Sequence, residues 1–420
     1  MDSDEGQSKA DSLAELRETV FSPQKCRQCH PNHYEEWSTS MHRYGFVDPV
    51  FFALDDSGQA RSNNDLDQFC VKCHSPIASM LEETPPGFQR DNLSEVAKSG
   101  VSCDVCHAVK TAVRGKGITS LRTDYARVGP IENPEPNTFH NSEYDPDFGK
   151  SEQCSPCHDV IAPNGVLVER TSQEWDVSPY SAMGVECQDC HMPTYQGKAA
   201  MQGPEREIHR HYFVGVDIPL VDFPDRQETI GMVDDLLKNA VTMDVNIQEQ
   251  SISDNRLPVE VSINNDKTGH DIPTGTTFER QMWIELIARD VQADTVVFAT
   301  GLLDANGDLR DSHSKPVQQN EVPKDTALKL YRGVPYTDGD ETLFFWEADS
   351  VEFRTIAPFE TDVTEYYIPV NPNISDMEIS VRLRFRSFPP YLLRKIGQSS
   401  LIDNLVIHDM SEYTQTVSMP

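Results

Sequence analysis

The chain has 420 residues, 37% of them hydrophobic, with 36 basic against 68 acidic side chains and a formal net charge of −32. A field of that sign repels nucleic acid and anionic lipid, and suits either plain solubility or docking to a basic partner. No apolar run approaches the about 20 residues that span a bilayer, and the length allows two or three domains.

Residues 1–22 open polar and pass into a short amphipathic segment, Leu13 to Phe21, which reads as a tether. The start Met1-Asp2-Ser3-Asp4-Glu5 is acidic where an export signal begins basic. Then one pattern occurs five times: Cys26-x-x-Cys29-His30, Cys70-x-x-Cys73-His74, Cys103-x-x-Cys106-His107, Cys154-x-x-Cys157-His158 and Cys187-x-x-Cys190-His191. C-x-x-C-H attaches a c-type haem, through two thioethers and an iron-ligating imidazole. Paired C-x-x-C motifs can also build zinc sites, and a lone one a redox disulfide. Neither needs His after the second Cys every time. The five copies use all ten cysteines, which leaves none for a disulfide framework. The expected cofactors are five covalent haem c groups. Cys26, Cys29, Cys70, Cys73, Cys103, Cys106, Cys154, Cys157, Cys187 and Cys190 hold them, with His30, His74, His107, His158 and His191 as iron ligands.

Five haems also account for the composition. The apolar share stays below the about 45–50% usual for globular chains, also when Gly is counted in place of Tyr. Porphyrin fills core that side chains then need not fill. Covalent haem c is installed after export, so the expected location is periplasmic or extracellular, with an export signal missing from this numbering.

Between the motifs the chain is short of regular periodicity. Tyr34 to His42 reads as a helix with an aromatic face. Glu36-Trp37-x-x-Ser40-x-His42 is echoed by Glu174-Trp175-x-x-Ser178-x-Tyr180. The proline-bearing stretch from Ala108 to Gln153 reads as a wrap over haem faces. Asp225 to Ala240 carries Ile230, Val233, Leu236 and Leu237 at helical spacing. From Thr242 cysteine disappears. Strand-like runs appear at Met243–Gln248, Val259–Ile263, Met282–Ala288, Thr295–Leu302, Leu343–Glu347, Val363–Val370 and Ile379–Phe385. Pro389 to Ile396 reads as a closing helix. The expected domains are a tether at 1–22, a pentahaem domain at 23–215, a connecting helix at 216–241 and a β domain at 242–420. The fold class is a mainly irregular and α haem-packed N-terminal domain plus an all-β, antiparallel, sandwich-like C-terminal domain.

The second axial ligand decides what each iron can do. Of 13 histidines, five belong to the motifs. His42, His140, His209, His211 and His270 are the candidate distal ligands. His33 lies too close to His30 in sequence to reach across the same haem, and His313 and His408 rank behind. Asp304-Ala305-Asn306-Gly307-Asp308 reads as a turn, its glycine misplaced for a calcium loop.

The motifs Trp37-x-x-Ser40-x-His42, Cys73-His74-Ser75-Pro76, Gly100 to His107, and Cys187 to Pro193 followed by His211-x-Phe213-x-Gly215 resemble multihaem c-type cytochromes related to the tetrahaem electron acceptors of hydroxylamine oxidation. The resemblance covers about residues 23–215. It implies that His42 and His211 are distal ligands, each to a haem other than its sequence neighbour. Gly269-His270-Asp271-Ile272-Pro273-Thr274-Gly275 resembles a motif of larger members, which implies a β domain that packs on the haems and donates His270. Kinship with extracellular haem filaments implies other redox proteins or copies of the chain itself as partners.

The expected function is electron transfer through a chain of mostly bis-His haems, with protein supplying spacing, ligation and electrostatics. The alternative is a multihaem oxidoreductase acting on a small nitrogen compound at an open-coordinated haem. Against it, no C-x-x-C-Lys site is present.

Overall fold

The computed structural model describes residues 2–419, with side chains described from Lys9 onward. The chain divides into two compact units, Met1–Ile230 and Gly231–Pro420, the boundary falling inside the helix Arg226–Lys238. Short helices and two-stranded ribbons make the first unit; antiparallel sheets make the second.

In the first unit a helix covers Asp2–Thr19, where the sequence reads as a tether; Met1 lies outside the described residues. The end of this helix is docked. Leu16 and Val20 join a core of Ile77, Leu81, Val105, Ala108 and Leu121. Arg17 donates to the Leu81 carbonyl at 3.4 Å. A second core gathers Phe46, Phe51, Val71, Ala78, Leu93 and Ala97, with Phe52 and Phe88 against it. Both cores incorporate residues next to haem motifs, so packing fixes where the motifs sit. The stretch after the third motif folds into ribbons: Val109–Val113 on Gly117–Leu121, and Ala126–Gly129 parallel to Asn141–Tyr144.

The second unit has a three-stranded sheet, Thr361–Pro369, Arg256–Asn264 and Thr242–Ile247 in spatial order. A seven-stranded sheet runs Asp340–Glu341, Leu330–Thr337, Gln281–Asp290, Asp376–Arg386 and His408–Ser418, with Thr295–Thr300 and Ser350–Arg354 attached beside that path. Every pairing in both sheets is antiparallel. Period-two burial explains the faces: Leu257, Val259, Val261 and Ile263 are wholly buried on one strand, and Met377, Ile379, Val381 and Leu383 on another. This is the sandwich-like antiparallel architecture that the alternation predicts.

Six of the seven sequence-read runs fall on strands. Leu343–Glu347 does not: Phe345–Glu347 is a 3₁₀ turn whose aromatic residues cluster, Phe344 on Trp346 at 4.7 Å. Apolar density there reflects ring packing, not strand alternation. The closing helix spans Pro390–Lys395, and Asp304–Asp308 is a turn, its Asp304 carboxylate accepting from the Asn306 and Asp308 amides at 2.7 and 3.0 Å.

Candidate functional site

Each motif is one helical turn. The His30, His74 and His158 amides donate to the carbonyls of Cys26, Cys70 and Cys154 at 2.8, 3.2 and 3.0 Å. Cys103–His107 and Cys187–His191 are short helices outright. Residues i, i+3 and i+4 of a helical turn share a face. Both thiols and the imidazole of each motif therefore project to one side. None of the ten cysteines is paired in a disulfide.

The five motif imidazoles share a second feature. Each turns Nδ1 to an acceptor: His30 to Ala199 O at 2.5 Å, His74 to Gly45 O at 3.2 Å, His107 to Val128 O at 2.8 Å, His158 to Glu169 Oε1 at 2.9 Å and His191 to Val214 O at 2.6 Å. A carbonyl can only accept, so the proton is on Nδ1 and the lone pair on Nε2. That tautomer is the one an iron bound at Nε2 requires. Burial lowers the pKa of His74, His107 and His191. Burial would lower His158 too, but the Glu169 carboxylate reverses the sign and raises it to about 9.

Of the distal candidates, three sit opposite motif imidazoles. His140 faces His30 with ring centres 6.4 Å apart and planes 23° from parallel. His211 faces His107 at 6.5 Å and 16°. His42 faces His158 at 6.4 Å and 37°. A metal–nitrogen bond of about 2.0 Å and a ring radius of about 1.15 Å put two imidazoles across one metal about 6.3 Å apart, centre to centre. The observed separations match. His42 adds an independent sign: its Nδ1 is buried with no hydrogen-bond partner, and burial drives its pKa to about 3. Burial likewise holds His211 well below its ordinary value and lowers His140. Neutral imidazoles aimed at one another without bonding one another fit a haem between them.

His209 and His270, like the motif imidazoles, turn Nδ1 to a backbone carbonyl, Met192 O at 2.6 Å and Asp271 O at 2.8 Å. His33 packs edge-on against His211 at 4.4 Å and lies 6.2 Å from His30 at 71°; burial lowers it to about 4. His313 is taken up by Asp311 and Glu341, at 3.4 and 3.3 Å, and stacks on Tyr391. His408 is buried with Nδ1 3.4 Å from Asp234. The ring against His74 is Phe51, stacked at 4.1 Å and 19°; among the described residues no imidazole faces His74 as the three pairs face each other.

The motifs also touch one another. Cys103 lies beside Cys26 and lowers its pKa; Cys157 does the same for Cys73, and Cys154 for Cys187. Cys106 lies close enough to raise both Cys154 and Cys157. The fourth motif thus adjoins the second, third and fifth.

The repeated Glu-Trp-x-x-Ser segment explains part of this placement. Trp37 Nε1 donates to Val101 O at 2.8 Å, and Trp175 Nε1 to Val185 O at 2.9 Å. Both carbonyls lie two residues before a motif, Cys103 and Cys187 respectively. Ser40 and Ser178 cap the following helices. The buried carboxylates are paired, Glu36 with Arg210 at 2.6 Å and Glu174 with Arg170 at 2.8 Å. Glu36 also accepts from the His211 amide at 2.7 Å and so holds the backbone of a distal candidate just beyond the strand Glu205–His209. Gly100, at φ +66°, brings its backbone against His42; a Cβ there would lie 2.5 Å from His42 O. Sequence reasoning saw the Glu-Trp echo and not these jobs. The Nδ1 acceptors left no sequence signal, since four are backbone carbonyls.

Residues 25–108, which carry the first three motifs, match the family model described as cytochrome c554 and c-prime. No curated protein matches the chain. Among solved structures, the chain is similar to a penta-haem cytochrome c552 from Thermochromatium tepidum. The two share 18% identity and a TM-score of 0.66, over 94% of this chain and 99% of that one. No helix among the described residues is long and apolar enough to cross a membrane. The family match is confined to the first three motifs, and the likeness in fold extends over nearly the whole chain.

Proposed function

We propose that the chain carries electrons through five covalently bound c-type haems, at least three of them held by two imidazoles. The observation that carries this reading is the set of three facing ring pairs, His30 with His140, His107 with His211 and His42 with His158, at 6.4 to 6.5 Å. Two nitrogen ligands leave no position for substrate, and an iron so held exchanges electrons only. The ten motif cysteines would hold the porphyrins, and the five motif histidines would be their proximal ligands. His209 and His270, whose Nδ1 is likewise turned to a backbone carbonyl, are proposed as distal ligands of the remaining irons.

Haem supplies the one-electron chemistry when bound. The chain's own residues do three things. The Nδ1 acceptors fix which imidazole nitrogen faces the metal. Buried surroundings keep the distal rings neutral. The motif contacts set an order in which the third and fourth sites join, with the first adjoining the third, and the second and fifth adjoining the fourth. Periplasmic or extracellular work is part of the proposal, because covalent attachment follows export. So are redox partners, either other proteins or further copies assembled in a filament.

The second site favours a second reading. Phe51 stacks on the face of the His74 ring at 4.1 Å, too close to stand across a metal from it, and no described imidazole faces His74 at the separation of the three pairs. A haem with one open position there would be an oxidoreductase centre for a small nitrogen compound. Low-spin and high-spin irons counted in the oxidised protein test both readings. Electron transfer predicts low-spin bis-imidazole iron in the majority; two or more open irons contradict it. Carbon monoxide bound by one reduced iron, and lost in no variant of His140, His211 or His42, supports the second reading for the second site.

A further inference from the structure

The fourth site differs from the others in one acceptor. His30, His74, His107 and His191 each offer Nδ1 to a neutral backbone carbonyl. His158 offers it to a carboxylate, Glu169 Oε1, at 2.9 Å. The contact is built into the local fold. The strand Val160–Ile161 follows the motif directly, and Leu167–Glu169 returns antiparallel to it, pairing Val160 with Glu169. The turn is closed by Ala162 and Val166, at 2.8 Å. The hairpin therefore delivers Glu169 back to the motif it has just left. Its side chain is 14% exposed. The Thr171 hydroxyl donates to the same oxygen at 3.3 Å, which restrains the rotamer.

We propose that Glu169 is a positioning residue that lowers the reduction potential of the fourth haem, making the junction of the chain its least easily reduced member; this rests on the electron-transfer reading above. A ligating histidine that shares its second proton with a carboxylate is a stronger base than one bonded to an amide carbonyl. A more basic axial nitrogen stabilises ferric over ferrous iron, and hydrogen bonding around the ligand is one of the protein's levers on potential. The position gives the effect a consequence. Cys73 meets Cys157 and Cys154 meets Cys187, so the second and fifth motifs both adjoin the fourth. At partial reduction electrons rest on the flanking sites and pass through the fourth without accumulating there.

The test uses the fully haem-loaded chain and Glu169→Gln. The amide keeps a carbonyl acceptor of the same shape and removes the charge. Protein-film voltammetry should show one midpoint raised, with the oxidised-to-reduced ratio of one iron changed about tenfold at fixed potential, about 59 mV for one electron. The other midpoints stay in place. A fully loaded variant with every midpoint unmoved overturns the proposal while leaving electron transfer intact. A wild-type chain that carries no haem overturns the reading beneath it. A measurement on the wild type needs no variant to fold: one near-infrared charge-transfer band of the oxidised protein should lie apart from the rest, at the energy of imidazolate-like ligation. Coincident bands for all bis-imidazole irons would overturn it.

Discussion

Asp104 lies inside the third motif and is 1% exposed. It forms a two-pronged ion pair with Arg127, Nε to Oδ1 at 2.6 Å and the second guanidinium nitrogen to Oδ2 at 2.8 Å. The Phe21 amide donates to the same carboxylate at 2.6 Å, and Arg127 donates on to Thr19 O at 2.9 Å. One pair thus joins the end of the first helix, the third Cys-x-x-Cys-His turn and the ribbon beyond it. Asp104→Ala leaves a buried guanidinium without its counter-charge, which costs about 3–5 kcal/mol. For a domain of 150–250 residues that lowers the melting temperature by about 6–20 °C. Guanidinium unfolding of the haem-loaded chain, followed by haem absorbance, measures it. Replacing both partners, Asp104→Ala with Arg127→Met, should cost less than Asp104→Ala alone, because no charge is then stranded. A single-variant loss under about 1 kcal/mol, the worth of an exposed pair, would refute the reasoning.

Four further outcomes are expected. Ala at His42, His140 or His211 should each convert one low-spin iron to high-spin, while Ala at His33, His313 or His408 should leave the oxidised spectrum unchanged; electron paramagnetic resonance reads both. Trp37→Phe and Trp175→Phe each remove one donor to a carbonyl that leads into a motif, and each should lower stability by about 0.5–1.5 kcal/mol in unfolding experiments. Gly100→Ala should perturb the fourth haem's spectrum through His42, since its Cβ would overlap His42 O at 2.5 Å. The last concerns pH. Burial alone would lower His313, but Asp311 and Glu341 raise it to about 9. Its folded pKa lies above the unfolded value, so its stabilisation is complete below about pH 6.5 and falls as pH rises through about 9, by on the order of 3 kcal/mol at most. His313→Gln should flatten the stability profile between those limits, and an unchanged slope would contradict the assignment.

The sequence was legible where chemistry forces spacing. C-x-x-C-H puts three groups on one face of a turn wherever it occurs, so the ten cysteines and five motif histidines needed no fold to be named. Among the spare histidines, His42, His140, His209, His211 and His270 stood out for the need of ligands, while the rings that His42, His140 and His211 face, His158, His30 and His107, required the fold. Glu169 and the carbonyls of Ala199, Gly45, Val128 and Val214 were invisible, because a backbone acceptor can be any residue. In the second unit, Val259–Ile263 and Ile379–Phe385 showed their alternation plainly. Leu330–Thr337, with Arg332 and Gly333 buried in mid-strand, did not, and Ser350–Arg354 and His408–Ser418 carry mostly polar outward faces. The helix Asp2–Thr19 escaped notice because its residues before Leu13 are polar and its docking depends on Ile77 and Leu81, far along the chain.

The most direct measurement is the number of haems per chain and their spin. Pyridine haemochrome absorbance against protein concentration, on chain matured with the c-type attachment machinery, should give five. Magnetic resonance of the same sample should show bis-imidazole low-spin iron in at least three. Fewer than five haems, or high-spin iron at the sites of His30, His107 and His158, would contradict the account.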